Sequence, residues 1–256
     1  LPSVIINAVA GDNIINAAEA AAGQTLSGRV SNAAAGDTVT VTLGGHTYQA
    51  EVQADLSWSV SVPAADLQAL GDGDLTVSAS VTNQHGNTGS GDRQIVIDAG
   101  LPGLRINTVA GDDIVNSIEI NQNQIISGTS SDIAAGSSVT VTVNGTDYAA
   151  TVGANGSWSA AVPAADVAKW PAGQLTIAVS GADASGNPVT ITQNITVDLS
   201  SVAVSVDSIA SDDIINAAEK AADLTLSGTT LNVEAGRDVS VNFAGHQYTP
   251  RVQADG

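Results

Sequence analysis

The chain has 256 residues, of which 26 are acidic and 7 basic, so its formal net charge is -19 at pH 7. This excess of acid leaves no basic stripe for binding nucleic acid, and the absence of cysteine excludes disulfides and thiolate metal sites. No uncharged apolar run approaches the roughly 20 residues that span a bilayer, so we expect no membrane insertion in this segment.

Short runs of alternating apolar and polar residues predict about seven β-strands in the first 100 residues. The predicted strands are Val4–Val9, Thr25–Val30, Thr38–Leu43, His46–Val52, Ser57–Val62, Leu75–Thr82 and Gln94–Asp98. Asn13–Ala22 is rich in alanine but stops at Gly23, which predicts a loop with one helical turn, and Ala64–Leu70 predicts another turn. Seven short strands in a domain of this size are typical of an immunoglobulin-like (Ig-like) β-sandwich.

The chain repeats itself with a period of 100 residues, as the spacing of Asp12, Asp112 and Asp212 illustrates. The alignment needs no insertion or deletion. We therefore predict an all-β chain of tandem Ig-like sandwiches arranged as a rod, with repeats at residues 1–100 and 101–200 and the first half of a third at 201–256. The third repeat is either a fragment or completed by strands of another chain, and we favour a fragment. The chain also begins at Leu1 without a leader pattern, which predicts a piece of a longer protein.

Several motifs recur in these repeats: Gly-Asp-Asn/Asp-x-Ile/Val-Asn-x-x-Glu, Leu/Ile-Ser-Gly, Gly-Asp-x-Val-Thr-Val, Trp-Ser-x-x-Val-Pro-Ala-Ala-Asp, and a last strand closed by Asp. In these motifs the chain resembles the bacterial Ig-like repeats of giant biofilm-associated surface adhesins. The resemblance extends over the whole chain. It implies export through a type I secretion channel, a place on the bacterial cell surface, and calcium at the domain junctions that stiffens a long rod.

Acidic residues fall where successive domains are expected to meet. If the first strand runs down the domain, the loop after it and the end of the last strand share the lower end, facing the upper loops of the next domain. Adjacent acids repel one another, and Ca²⁺ takes about six to eight oxygen ligands. The predicted ligands are Asp12, Asn13, Asp98, Asp132 and Asp183 at the first junction, Asp112, Asp113 and Asp198 with Asn232 at the second, and Asp212 and Asp213 in the third repeat.

Turn formation and capping are the alternative interpretation, because Asp and Asn side chains readily accept hydrogen bonds from nearby backbone N–H groups. Asn16 and Glu19 have the spacing of a capping box, which we prefer to a metal role for them. Asp72 and Asp74 correspond to Ala172 and Gln174 in the second repeat, so we interpret both as solvated loop residues.

Catalysis has no support, because a nucleophile needs an oriented base and the three histidines pair with no repeated serine. We predict a non-enzymatic stalk segment whose partners are the neighbouring repeats of the same chain. Without calcium the linkers Asp98–Gly103 and Asp198–Val202 should flex. One alternative is homophilic adhesion to the same protein on other cells; a less favoured one is carbohydrate binding through Trp58 and Trp158, which we expect to pack in the core instead.

Overall fold

The computed structural model describes all 256 residues, and most of its regular structure is β-strand. It divides into two compact units, which comprise residues 1–107, 125–161 and 176–193, and residues 108–124, 162–175 and 194–256. The contacts between the first and second repeats that are described below all lie inside the first of these units. None of the helices is long and apolar enough to cross a membrane.

The first repeat contains eight strands and two short helices. The strands are β1 (Ser3–Ile6), β2 (Ile14–Asn16), β3 (Gln24–Ser31), β4 (Thr38–Leu43), β5 (His46–Glu51), β6 (Ser57–Val62), β7 (Gly73–Thr82) and β8 (Thr88–Asp98), and the helices are α1 (Ala17–Ala22) and α2 (Ala64–Gln68). One sheet has the strand order β1-β3-β6 and the other β2-β8-β7-β4-β5. Their apolar faces form one buried core, which is the Ig-like β-sandwich that the sequence predicts.

Alternation along the strands explains this core. In β4 the side chains of Val39, Val41 and Leu43 are buried, whereas the threonines between them are exposed or half-buried. Trp58 on β6 is 1% exposed and packs beside Gly28 of β3, where a side chain would meet the indole ring. The two predicted packing tryptophans, Trp58 and Trp158, are therefore core residues, and neither presents a ring face for stacking on a sugar.

The structure differs from the sequence prediction between residues 13 and 22, where it has a strand and a six-residue helix in place of a loop with one helical turn. β2 pairs parallel to β8, with Ile14 opposite Val96 and Asn16 opposite Asp98. α1 then begins, and a complete capping box of Asn16 and Glu19 stabilises its first turn. The strand was missed because its hydrogen-bond partners lie about 80 residues away, and the predicted capping role of Asn16 is confirmed.

The second repeat has the same succession of strands. They are β9 (Gly103–Ile106), β10 (Ile114–Asn116), β11 (Gln124–Ser131), β12 (Ser138–Val143), β13 (Thr146–Thr151), β14 (Ser157–Val162), β15 (Gly173–Ala182) and β16 (Pro188–Asp198). In the first unit β9 pairs with β11, and β12 lies between β13 and β15; in the second, β10 pairs parallel to β16. A 3₁₀ turn at Glu119–Asn121 stands where the first repeat has α1, and α3 (Ala164–Val167) corresponds to α2.

The third repeat is an open pair of hairpin-like sheets. Its strands are β17 (Ala203–Val206), β18 (Gly228–Leu231), β19 (Val241–Phe243) and β20 (His246–Tyr248), with 3₁₀ turns at Ile209–Ser211 and Glu219–Ala221. β17 pairs with β18, and β19 pairs with β20. Val204, Val206 and Ile215 remain exposed, although their counterparts in the first repeat, Val4, Ile6 and Ile15, are buried in its core.

Candidate functional site at the junction of the first two repeats

The end of the first repeat presents main-chain groups from two neighbouring segments. Because β2 runs parallel to β8, the last residue of β8, Asp98, lies opposite Asn16, and Ala17 follows as the first residue of α1. The N–H groups of the first helical turn have no partner inside the helix. The capping box provides a hydrogen-bond partner, Oδ1 of Asn16, for the N–H of Glu19. The N–H of Ala17 stays available for a group outside the helix.

The loop between β15 and β16 of the second repeat faces this end. Asp183 organises the loop: its Oδ1 accepts hydrogen bonds from the N–H of Ser185 at 2.9 Å and from the N–H of Asn187 at 2.8 Å. Gly186 has a φ of 84°, a conformation that glycine adopts without steric cost. An aspartate with a glycine three residues later, as at Asp183 and Gly186, is typical of a tight turn. The local sequence therefore determines the conformation of this loop.

The side chain of Asn187 joins the two repeats. Its Oδ1 accepts a hydrogen bond from the N–H of Ala17 at 2.7 Å, and its Nδ2 donates to the carbonyl oxygen of Asp98 and to Oδ2 of Asp183, both at 2.8 Å. Ser185 adds a further bond, from its hydroxyl to Oδ2 of Asp98 at 2.5 Å. Asn187 is 1% exposed, and it is one of two buried polar residues in the chain.

Beside these hydrogen bonds lies a cavity of about 550 Å³, the junction cavity, which carries four carboxylates. Its acidic residues are Asp72, Asp98, Asp132 and Asp183, and Ile133 and Gly100 also line it. Asp72 is exposed and accepts a hydrogen bond from the N–H of Ala99 at 2.9 Å, which places it beside the linker. Four like charges around one cavity repel one another, and this repulsion falls when a cation is bound.

The five predicted ligands of the first junction separate into two places. Asp98, Asp132 and Asp183 line the junction cavity, whereas Asp12 and Asn13 line another cavity of about 320 Å³, together with Asp74. Oδ1 of Asn13 accepts from the N–H of Val9 and from Arg93, both at 3.2 Å. The separation arises from β2, whose three residues intervene between the Asp12 turn and the end of β8.

The aspartates predicted as ligands at the second junction and in the third repeat accept hydrogen bonds within local turns. The aspartates Asp112 and Asp212 accept from the N–H two residues ahead, at 3.0 Å each, and Asp113 and Asp213 accept from the N–H of Val109 and Ile209 at 2.8 Å each. Asn232 donates to the carbonyl oxygen of Ser201 at 2.8 Å. Hydrogen bonds from the hydroxyl and the N–H of Ser200 lower the pKa of Asp198.

The fit of these residues to a metal ion can be tested on their positions. Across the chain, no three His, Cys, Asp or Glu side chains are grouped so that they could hold one. In the junction cavity, both carboxylate oxygens of Asp183 and one of Asp98 already accept hydrogen bonds from the protein. As the side chains lie, they therefore do not form a metal site.

Three residues of the junction were not predicted from the sequence: Asp72, Ser185 and Asn187. Asp72, which the sequence predicts to be a solvated loop residue, is exposed, and it also lines the junction cavity. The Asp-x-Ser-Gly-Asn pattern of the loop indicates a tight turn, and that turn was the available signal for Ser185 and Asn187.

Comparison with known proteins agrees with this architecture. The bacterial Ig-like domain family matches residues 7–99. A solved structure from a 1.5-MDa bacterial ice-binding adhesin, studied for host cell surface retention, is 37% identical over 100% of this chain and 84% of its own, with a TM-score of 0.50. A Ca²⁺-stabilised adhesin with which an Antarctic bacterium binds ice is 35% identical over 99% of this chain, which spans 64% of that structure, with a TM-score of 0.52.

No curated protein matches the chain in sequence. The identity to the first of these adhesin structures, together with the repeated Ig-like sandwich, is sufficient to assign the family. The chain belongs to the bacterial Ig-like domains that form the tandem repeats of large bacterial adhesins.

Proposed function

We propose that this segment is a structural spacer in the stalk of a bacterial surface adhesin, which holds a distal binding region away from the cell and supports cell adhesion and biofilm formation. The observation that carries the proposal is the contact of Asn187 with Ala17 and Asp98, because a spacer must fix each domain on the next. Membership of the adhesin repeats supports a place outside the cell and a role without catalysis.

We further propose that calcium stiffens the junctions. At the first junction the ligands would come from the junction cavity, whose four carboxylates a divalent cation would neutralise. Asp72 and Asp132 are exposed and can turn toward Asp98, a rearrangement that binding requires because the present positions do not form a site. The Ca²⁺-stabilised ice-binding adhesin supports this proposal. We expect a dissociation constant of about 10⁻⁴ to 10⁻³ M, as in other extracellular modules.

The calcium proposal extends to the residues outside the junction cavity. Asp12 and Asn13 in the first repeat share a cavity with Asp74, which makes them candidates for a second, separate ion. At the second junction the candidates are Asp112, Asp113 and Asp198, and in the third repeat Asp212 and Asp213. Each of these sets requires its side chains to leave the turns that they now stabilise.

Asp132→Asn is the sharpest variant for testing calcium at the first junction. Residue 132 has a φ of 59°, and the equivalent positions in the other repeats are Asn32 and Asn232 with φ of 53° and 56°, so asparagine fits this backbone. We expect calorimetric titration with calcium chloride to show a dissociation constant about tenfold larger than in the unmodified chain. A tenfold change corresponds to a loss of about 1.4 kcal/mol in binding free energy. Asp92→Asn, which removes an exposed charge of β8, is the matched control.

Small-angle scattering of the whole chain supplies the mechanical readout. With calcium we expect a larger maximum dimension than in chelator, because neutralised junctions flex less. An identical dimension in both conditions, together with no heat of binding in the titration, would show that calcium does not stiffen this segment.

A further inference from the structure

We propose that Asn187 holds the first repeat on the second without any metal ion. The contact set is called the Asn187 latch and consists of Asp183, Ser185 and Asn187 of the second repeat with Ala17 and Asp98 of the first. It goes beyond the calcium proposal, because it makes the docked junction a property of the chain alone.

Both polar atoms of the buried Asn187 amide are hydrogen-bonded. Both donors of Nδ2 and the acceptor Oδ1 are used, at distances of 2.7 to 2.8 Å. A polar side chain that is 1% exposed is tolerated only when its groups are paired. Separating the repeats would break two of these bonds. The N–H of Ala17 and the carbonyl of Asp98 would then have to form hydrogen bonds to water.

The Asn187 amide is positioned by its own repeat. Oδ2 of Asp183 accepts from the side chain of Asn187 while Oδ1 fixes the loop backbone, so the amide is oriented within the loop itself. A preorganised group loses little conformational entropy on docking, and more of its hydrogen-bond energy then appears as affinity. The groups that the amide meets in the first repeat, the N–H of Ala17 and the carbonyl of Asp98, are neutral main-chain atoms, which are the same with and without a cation.

The equivalent loop in the first repeat forms the same turn but leaves its asparagine exposed. There Asn83 accepts from the N–H of His85 at 3.0 Å and of Asn87 at 3.1 Å, so the turn is the same as at Asp183. Asn87, the counterpart of Asn187, is exposed. The fold of the loop alone therefore does not bury this asparagine; the end of a docked repeat does.

The test measures the distance between the two repeats in chelator. The chain has no cysteine, so Ser59→Cys and Ser159→Cys, at equivalent exposed positions of β6 and β14, allow two spin labels to be attached specifically. In EGTA we expect pulsed electron paramagnetic resonance of the unmodified chain to give a distance distribution narrower than that of Asn187→Ala, and we expect calcium to narrow it further. Asn187→Ala should raise the population of undocked conformers by at least about tenfold, because the two hydrogen bonds to the first repeat are lost.

Asn87→Ala is the matched control, since it removes the same side chain from the same turn where no repeat is docked, and it should leave the distribution narrow. Asn187→Asp keeps the shape but places an oxygen against the carbonyl of Asp98, so it should also undock the repeats. Ser185→Ala removes only the bond to the Asp98 carboxylate and should have a smaller effect. Near-ultraviolet circular dichroism confirms that each variant keeps its folded core around Trp158.

Either of two results would overturn the proposal. The first is a distance distribution in EGTA that is as broad for the unmodified chain as for Asn187→Ala. The second is a folded Asn187→Ala chain whose distance distribution is as narrow as that of the unmodified chain. The calcium proposal is judged separately, by whether calcium narrows the distribution of Asn187→Ala. If calcium does not change the distance distribution, the calcium proposal is refuted and the Asn187 latch is unaffected. If the distribution of the unmodified chain is narrow only with calcium, the Asn187 latch is refuted.

Discussion

Replacement of Gly28 by alanine is expected to destabilise the first repeat strongly. Gly28 lies on β3 between β1 and β6, and a Cβ at this position would be 1.8 Å from the carbonyl oxygen of Ile5 and 2.8 Å from the Trp58 indole. Real Cβ atoms keep about 3.0 Å from other atoms, so β1 would have to move by about 1.2 Å, the difference between 3.0 and 1.8 Å. Trp58 is 1% exposed and cannot recede. Overpacking of this kind costs about 3 kcal/mol.

Hydrogen exchange read by mass spectrometry can assign the loss to one repeat. A cost of about 3 kcal/mol corresponds to roughly 150-fold faster exchange in β4, which lies in the first repeat, with β12 of the second repeat unchanged. Gly71→Ala is the control, because no atom lies within 4 Å of a Cβ there and the backbone is ordinary. If Gly28→Ala exchanged as slowly as Gly71→Ala, the packing argument at this glycine would be refuted.

Two smaller effects are expected in the first repeat. Burial, and then the 2.7 Å hydrogen bond to Asp66, raise the pKa of Tyr48 from 10.0 to about 12, so its stabilising contribution is complete below pH 10 and disappears as the pH rises to 12. Asp66→Asn should move the NMR titration of Tyr48 toward pH 10, and an unchanged midpoint would contradict this. Asn16→Ala removes the cap of α1, and we expect a loss of about 1 kcal/mol in urea unfolding, against a smaller loss for Glu19→Gln. Equal losses would show that the two halves of the capping box contribute alike.

The repeat period and the alternation of the strands were sufficient to predict the Ig-like sandwich. The same local reasoning could not find β2, because Ile14–Asn16 is only three residues long and becomes a strand through pairing with β8. Distance along the chain also hid the role of Asn187, whose partner Ala17 is 170 residues away.

The period of 100 residues marks only side chains that recur in the repeats. Asp12 and Asp112 recur and are predicted calcium ligands, and the structure places Asp12 in a turn, where it accepts from the N–H of Ile14 at 2.9 Å. Asp72 does not recur; it is exposed, as predicted, and it also lines the junction cavity. A residue that acts at a single junction leaves no periodic signal, so only its position in the fold could find it.

The amide of Asn187 recognises the N–H of Ala17 and the carbonyl of Asp98, which every L-amino acid except proline could supply. The residue equivalent to Ala17 is Ser117 in the second repeat and Ala217 in the third, so its side chain is free to change. A gene encoding such repeats can gain or lose whole units by duplication or deletion, because each new neighbour offers the same two main-chain atoms. The number of repeats can then change while each junction keeps the same two main-chain hydrogen bonds.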